Sequence, residues 1–218
     1  MAEITSRVVG VTVESFFKKP VLYRDAHCED TAQRCFEAFS SYGLRASQIA
    51  IRVGDVGFNY EVSFNIFNGN GTFKISSEKL EMHFQGATGE KDVELVIDCI
   101  AKLYEHVPLP EISNTLITGN AHATASSGEA VQQYLVRYAD PAKQIVRGGI
   151  IAYIACEKWK DEIRLAVEKS VVFPEGLFLI WSTNFSEGKL SRDVLTTLSD
   201  ACNEAAAKLD LIFSKSVT

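Results

Sequence analysis

The chain is poor in nearly every residue pattern that announces chemistry. It has no His-Glu-x-x-His pair, no Gly-x-Ser-x-Gly elbow, and no glycine loop set between a strand and a helix to cradle phosphates. It has no basic run either, and 28 Asp and Glu outnumber 22 Lys and Arg for a formal net charge of −6. Nucleic-acid affinity rests on cationic side chains neutralising phosphates, so nucleic acid is not an expected partner. No stretch approaches the ~20 apolar residues of a membrane-spanning helix, and no membrane partner is expected. Met1 to Arg7 lacks a basic segment followed by an apolar one, which argues against a cleaved secretory signal. The five cysteines (Cys28, Cys35, Cys99, Cys156, Cys202) include no Cys-x-x-Cys pair. They read as reduced, packed thiols in a cytoplasmic setting. No metal and no cofactor is expected from any of these patterns.

What is present is core-forming material. Apolar residues make up 46% of 218, enough for a sizeable interior without disulfide or metal. Their order suggests one structural unit used twice, with Pro108-Leu109-Pro110 as the seam. The expected division is residues 1–109 and residues 110–218.

In the first half, Val8 to Phe17 reads as a strand, and Ala32, Cys35, Phe36, Phe39 and Tyr42 form the stripe of a helix stopped by Gly43. Residues 49–85 alternate as strands do: Phe58, Tyr60, Val62, Phe64 and Ile66 on one face, Asn59, Glu61, Ser63 and Asn65 on the other. Pairing Val53 with Phe58, with turns at Asn68–Gly71 and Glu78-Lys79, predicts three registers: Ile51 opposite Tyr60, Phe64 opposite Ile75, and Phe73 opposite Phe84. They place Lys74 beside His83 and Ser76 beside Glu81 on a polar face. Lys74, Glu81 and His83 are therefore the candidate polar site. A long helix opening at Gly89–Asp92, with Val93, Val96, Ile97, Ile100, Leu103 and Val107 on one side, covers the apolar face.

The second half begins again with a strand inside Ile112–Ala125. A short helix follows, with Ser126 and Glu129 at capping-box spacing and a stop at Asp140-Pro141. Ile150–Ile154 and Ile163–Val172 form a hairpin with Ile154 opposite Ile163. The strand Leu177–Trp181 has two possible faces, since turns of two or three residues point opposite sides inward. One turn exposes Leu177, Leu179 and Trp181; the other exposes Phe178 and Ile180. The last helix, with Val194, Leu195, Leu198, Ala201, Ala205, Leu209 and Ile212, can cover only one face. Ile151, Tyr153, Phe178, Ile180 and Trp181 are therefore the candidate partner-binding residues.

The fold expected is α+β: two tandem strand–helix–antiparallel strands–helix repeats, fused into one curved antiparallel sheet with helices on one face. This order of elements resembles the duplicated architecture of TATA-box-binding proteins and, to a lesser extent, helix-grip folds. The acidic balance sets DNA binding aside, and fold alone does not assign function.

Three functions remain open. The first is a non-catalytic cytoplasmic binding protein (adaptor, inhibitor or chaperone-like), acting through the apolar sheet surface as a homo-oligomer. The second is a carrier of a small apolar ligand between sheet and helices, with Phe58, Tyr60, Phe64, Phe73 and Phe84 as candidate lining. The third is an enzyme without a recognisable motif. His27-Cys28, the one adjacent His/Cys pair, is weighed as a reactive thiol against a packed one, and packing is the expectation.

Overall fold

A computed structural model describes residues 2–21, 25–54, 59–125, 128–137, 149–186 and 188–213. The chain is α+β, and its described strands form one large sheet. The strands are β1 (Ala2–Phe17), β2 (Ala50–Val53), β3 (Tyr60–Ile66), β4 (Gly71–Ser76), β5 (Lys79–Ala87), β6 (Ile112–Ala125), β7 (Ile150–Cys156), β8 (Trp159–Lys169), β9 (Gly176–Phe185) and β10 (Leu211–Phe213). The helices are α1 (Asp25–Phe39), α2 (Glu90–His106), α3 (Gly128–Val136) and α4 (Arg192–Lys208). The sheet order is β2-β3-β4-β5-β1-β6-β9-β8-β7, with every neighbour antiparallel, and β10 joins the start of β1 in parallel.

The two longest strands, β1 and β6, lie side by side at the centre and pair from Ile4↔Ala125 to Phe17↔Ile112. Period-two alternation turns Val13 of β1, Ile117 and Ala121 of β6, and Phe64, Phe73 and Met82 of β3 to β5 onto the helix-covered side. Apolar residues of all four helices join them in one continuous core. Three hydroxyls sit inside it at the central seam. Ser15 is hydrogen-bonded to the Tyr104 hydroxyl and, at 2.7 Å, to Thr115, so all three of these hydroxyls have a partner.

Each expected face is as read, but three registers in the first half are displaced by two residues. Ile51 pairs with Val62, Phe64 with Phe73, and Phe73 with Met82. Turn geometry accounts for the second and third of these shifts. Phe67 and Asn68 take left-handed φ of 52° and 55°, so the β3–β4 turn starts one residue early. At β4–β5 the Ser76 hydroxyl accepts the Lys79 amide (3.2 Å) and donates to the Lys79 carbonyl (3.1 Å), closing the chain around Ser77-Glu78. A slip of two leaves every side chain on its own face. The β7–β8 hairpin pairs Ile150 with Val167, Ala152 with Leu165 and Ile154 with Ile163, as expected.

Two further corrections concern the ends. Strand β1 starts at Ala2, well before Val8. Ile212 belongs to β10 and not to the last helix, because Asp210, at φ 61°, turns the chain out of α4. Phe58, Ser126, Asp140 and Pro141 lie outside the described residues, so the pairing, cap and helix stop expected there are not described.

Candidate functional site

The polar residues singled out on the outer face of the sheet do not all meet. The register shift makes Lys74 the direct neighbour of Glu81, with Ser63 on its other side. Lys74 Nζ lies 3.1 Å from Glu61 and 3.8 Å from Glu81, while Lys79 Nζ lies 2.8 Å from Glu81 and 3.0 Å from Glu14. The hydrogen bond to Glu81, then that to Glu14, holds the Lys79 ammonium above its ordinary pKa. His83 falls in the next row, between Thr72 and Thr12, and its Nδ1 is hydrogen-bonded to the Thr12 hydroxyl at 3.1 Å. The expected Lys74–His83 adjacency is thus replaced by an alternating ladder of ammonium and carboxylate groups. A groove of about 380 Å³ borders that ladder. Exposed pairs of this kind contribute ~0–1 kcal/mol each, and here they satisfy one another.

The apolar residues of the second half divide between the two faces. Residues 170–175 connect β8 to β9, and Ser170 accepts the amides of Val172 and Phe173 at 3.1 and 3.0 Å. This connection sets Leu179 opposite Val167, so Leu177, Leu179 and Trp181 all point toward the helices. Trp181 therefore leaves the outward group to which the sequence assigned it. Phe178 and Ile180 do face outward. Phe178 stacks on the His122 ring at 4.5 Å, and Ile180, Ala166 and Ile151 form one cross-strand row. Ile151 is 57% exposed and Tyr153 67%, both on the edge strand β7.

An apolar space lies under the helices. A cavity of about 640 Å³ opens between α2, α4, β10 and the centre of the sheet. Its floor is Ile117 and Ala121 of β6 with Leu165, Leu179 and Trp181. Val93, Ile97 and Ile100 of α2 form one wall, and Leu195, Leu198 and Cys202 of α4 the other. Small residues leave room here: Ala121 of β6 lies on the floor, and Ala205, Ala206 and Ala207 line the α4 side. The Trp181 indole lies directly over Gly119, where a Cβ would meet the ring at 2.1 Å. Arg192 ties α4 to α2 through Glu94 and Asp98 near the mouth.

The rim is polar, with Thr88, Glu90, Glu94, Asp200 and Asn203. Inside, the Ser6 hydroxyl oxygen is fully buried on the cavity lining and has no hydrogen-bond partner among the described residues. An unpaired buried hydroxyl costs roughly 1–3 kcal/mol, so something that bonds to it is favoured. Sequence reasoning missed this cavity. The aromatic residues it proposed as lining (Tyr60, Phe64, Phe73 and Phe84) are instead packed solid elsewhere, with Phe39–Phe73 centroids at 4.9 Å and Phe64–Phe73 at 4.6 Å. The available signal was the small residues on β6 and α4.

Burial holds several thiols in their protonated form. Burial pushes Cys35 and Cys99 up to about 12, and Cys202, on the cavity wall, equally to about 12. Such thiols are protonated near neutrality and are poor nucleophiles. Cys28 is buried against Tyr60 and Val62, and the His27 ring stands edge-on to Tyr60 at 6.0 Å. Among the described residues no group of three or more His, Cys, Asp or Glu could hold a metal ion, and no helix is long and apolar enough to cross a membrane. Comparison with protein-family models, with curated proteins and with solved structures returned no match to this chain.

Proposed function

We propose that this protein is a non-catalytic binding protein for a small, mostly apolar ligand held between α2, α4 and the sheet. The observation that carries the reading is the cavity of about 640 Å³. Its size falls within the ~300–1,000 Å³ of ligand pockets, and an apolar floor with a few polar groups is their usual composition. The buried, unpartnered Ser6 hydroxyl adds a polar anchor.

The test uses N-phenyl-1-naphthylamine, a neutral dye that brightens in apolar surroundings. It should bind with micromolar affinity and alter the emission of Trp181 in a Trp159→Phe background. Ala121→Phe, which builds a ring into the floor, should weaken binding at least tenfold while leaving the circular dichroism unchanged. Dye that fails to bind, or binds equally well to Ala121→Phe, would remove the reading.

A second reading is self-association or partner binding through the outer face, supported by the exposure of Ile151 and Tyr153 on edge strand β7. Exposed edges and apolar patches of this kind are commonly covered. If it holds, light scattering should give a mass above 24.1 kDa that Ile151→Asp with Tyr153→Asp returns to the monomer value. A wild-type monomer at every concentration, with no partner in a pull-down, would end it.

We also read the two halves as copies of one unit, residues 1–109 and 110–218. Support comes from the order β1–α1–strands–α2 followed by β6–α3–strands–α4, and from the central pairing of the two opening strands. Five unpaired thiols support a reducing, cytoplasmic setting.

A further inference from the structure

Resting on the cavity reading above, we infer that the ligand is a cationic amphiphile: an apolar body on the sheet floor and an amine-type head group at the mouth. The chemistry of the rim selects the sign. Carboxylates of Glu90, Glu94 and Asp200 line the cavity, and among the described residues no lysine or arginine does. Arg192, the cation bound to Glu94, is shared with Asp98, so it leaves that corner with an excess of negative charge.

Glu90 and Asp200 have no ion-pair partner among the described residues. Glu90 is accounted for without a ligand, since it sits in the first turn of α2 where the helix dipole favours an acid. Asp200, solvent-exposed, gains no such help from a helix end. It lies in the middle of α4, one turn before Glu204, a like-charge spacing that mildly destabilises a helix. A carboxylate held there at a local cost, on the lip of an apolar cavity, is placed well to meet a cation. Low-dielectric walls strengthen that attraction relative to open water. The same field repels a fatty-acid carboxylate, whose charge would sit among three others. The Asn203 side chain on the rim offers the head group a neutral hydrogen-bond partner.

The experiment compares three probes of one chain length, decylamine, decanol and decanoate, as competitors of N-phenyl-1-naphthylamine on the full chain. Decylamine is expected to displace the dye at a concentration at least tenfold below decanoate, with decanol between them. Asp200→Asn with Glu90→Gln should bring decylamine to within threefold of decanol. Glu105→Gln with Glu129→Gln, exposed carboxylates away from the cavity whose loss makes the net charge less negative by the same two charges, should leave the tenfold preference intact.

Decanoate competing as well as decylamine would overturn the inference while leaving the cavity reading standing. So would an amine preference that survives Asp200→Asn with Glu90→Gln, or one abolished by the distant pair, which would mark general attraction to an acidic protein. Dye that does not bind at all would remove the cavity reading and this inference together.

Discussion

Phe73→Ala is expected to destabilise the protein by about 3–5 kcal/mol, the range for truncating a fully buried aromatic residue. Phe73 is 0% exposed, lies parallel to Phe64 at 4.6 Å, and touches Phe39 at 4.9 Å and Phe84 edge-on at 5.4 Å. These contacts tie β3, β4 and β5 to α1, so the cavity left behind is walled by three aromatic rings that cannot all collapse into it. Aromatic pairs add roughly 0.5–1.5 kcal/mol beyond burial. With a urea m-value of about 2 kcal/mol/M, the midpoint should fall by about 1.5–2.5 M. Phe16→Ala is the internal comparison. Phe16 sits on the outer face, 38% exposed, with the Lys79 ammonium over its ring at 5.8 Å, and its loss should cost under about 1 kcal/mol. Equal midpoint shifts for the two variants would show that the first-half core is not centred on Phe73.

Gly119→Ala is expected to cost about 1–3 kcal/mol, although alanine is ordinarily tolerated better than glycine in a strand. The glycine has no unusual φ to protect. Its role is space, because the Trp181 indole occupies the position a Cβ would take, and the two residues are direct cross-strand partners on β6 and β9. An added methyl must push the indole aside, and the open side is the cavity. The variant should therefore show both a lower thermal midpoint and weaker dye binding, with altered Trp181 emission in the Trp159→Phe background. Trp159 is the right residue to silence, since its Nε1 donates to Thr183 at 2.9 Å in a separate buried site. Stability and dye affinity equal to the parent would mean that Trp181 does not rest on Gly119.

Much of the fold was legible from periodicity. Tyr60, Val62, Phe64 and Ile66 announce one buried face, and an error of two residues in register cannot move them off it. Registers themselves were less legible, since they depend on single turn residues: the left-handed Phe67, and the Ser76 hydroxyl that closes the next turn. That difference carried into the candidate polar site, where Lys74 meets Glu81 and Glu61 while His83 meets Thr12. Strand β10 was illegible for another reason. Three residues leave no period to read, and their partner, Ala2 to Ile4, lies at the opposite end of the chain.

The chain's own residue order determined an acidic, thiol-containing α+β protein with alternating strands and two long amphipathic helices. Those properties are local, set by residues two to four positions apart. Tertiary structure alone decided that Trp181 turns inward onto Gly119 and that α2 and α4 leave a cavity above β6. A cavity is a difference between the volume elements enclose and the volume side chains fill. Alanine and glycine contribute to it only when strands and helices distant in sequence bring them face to face.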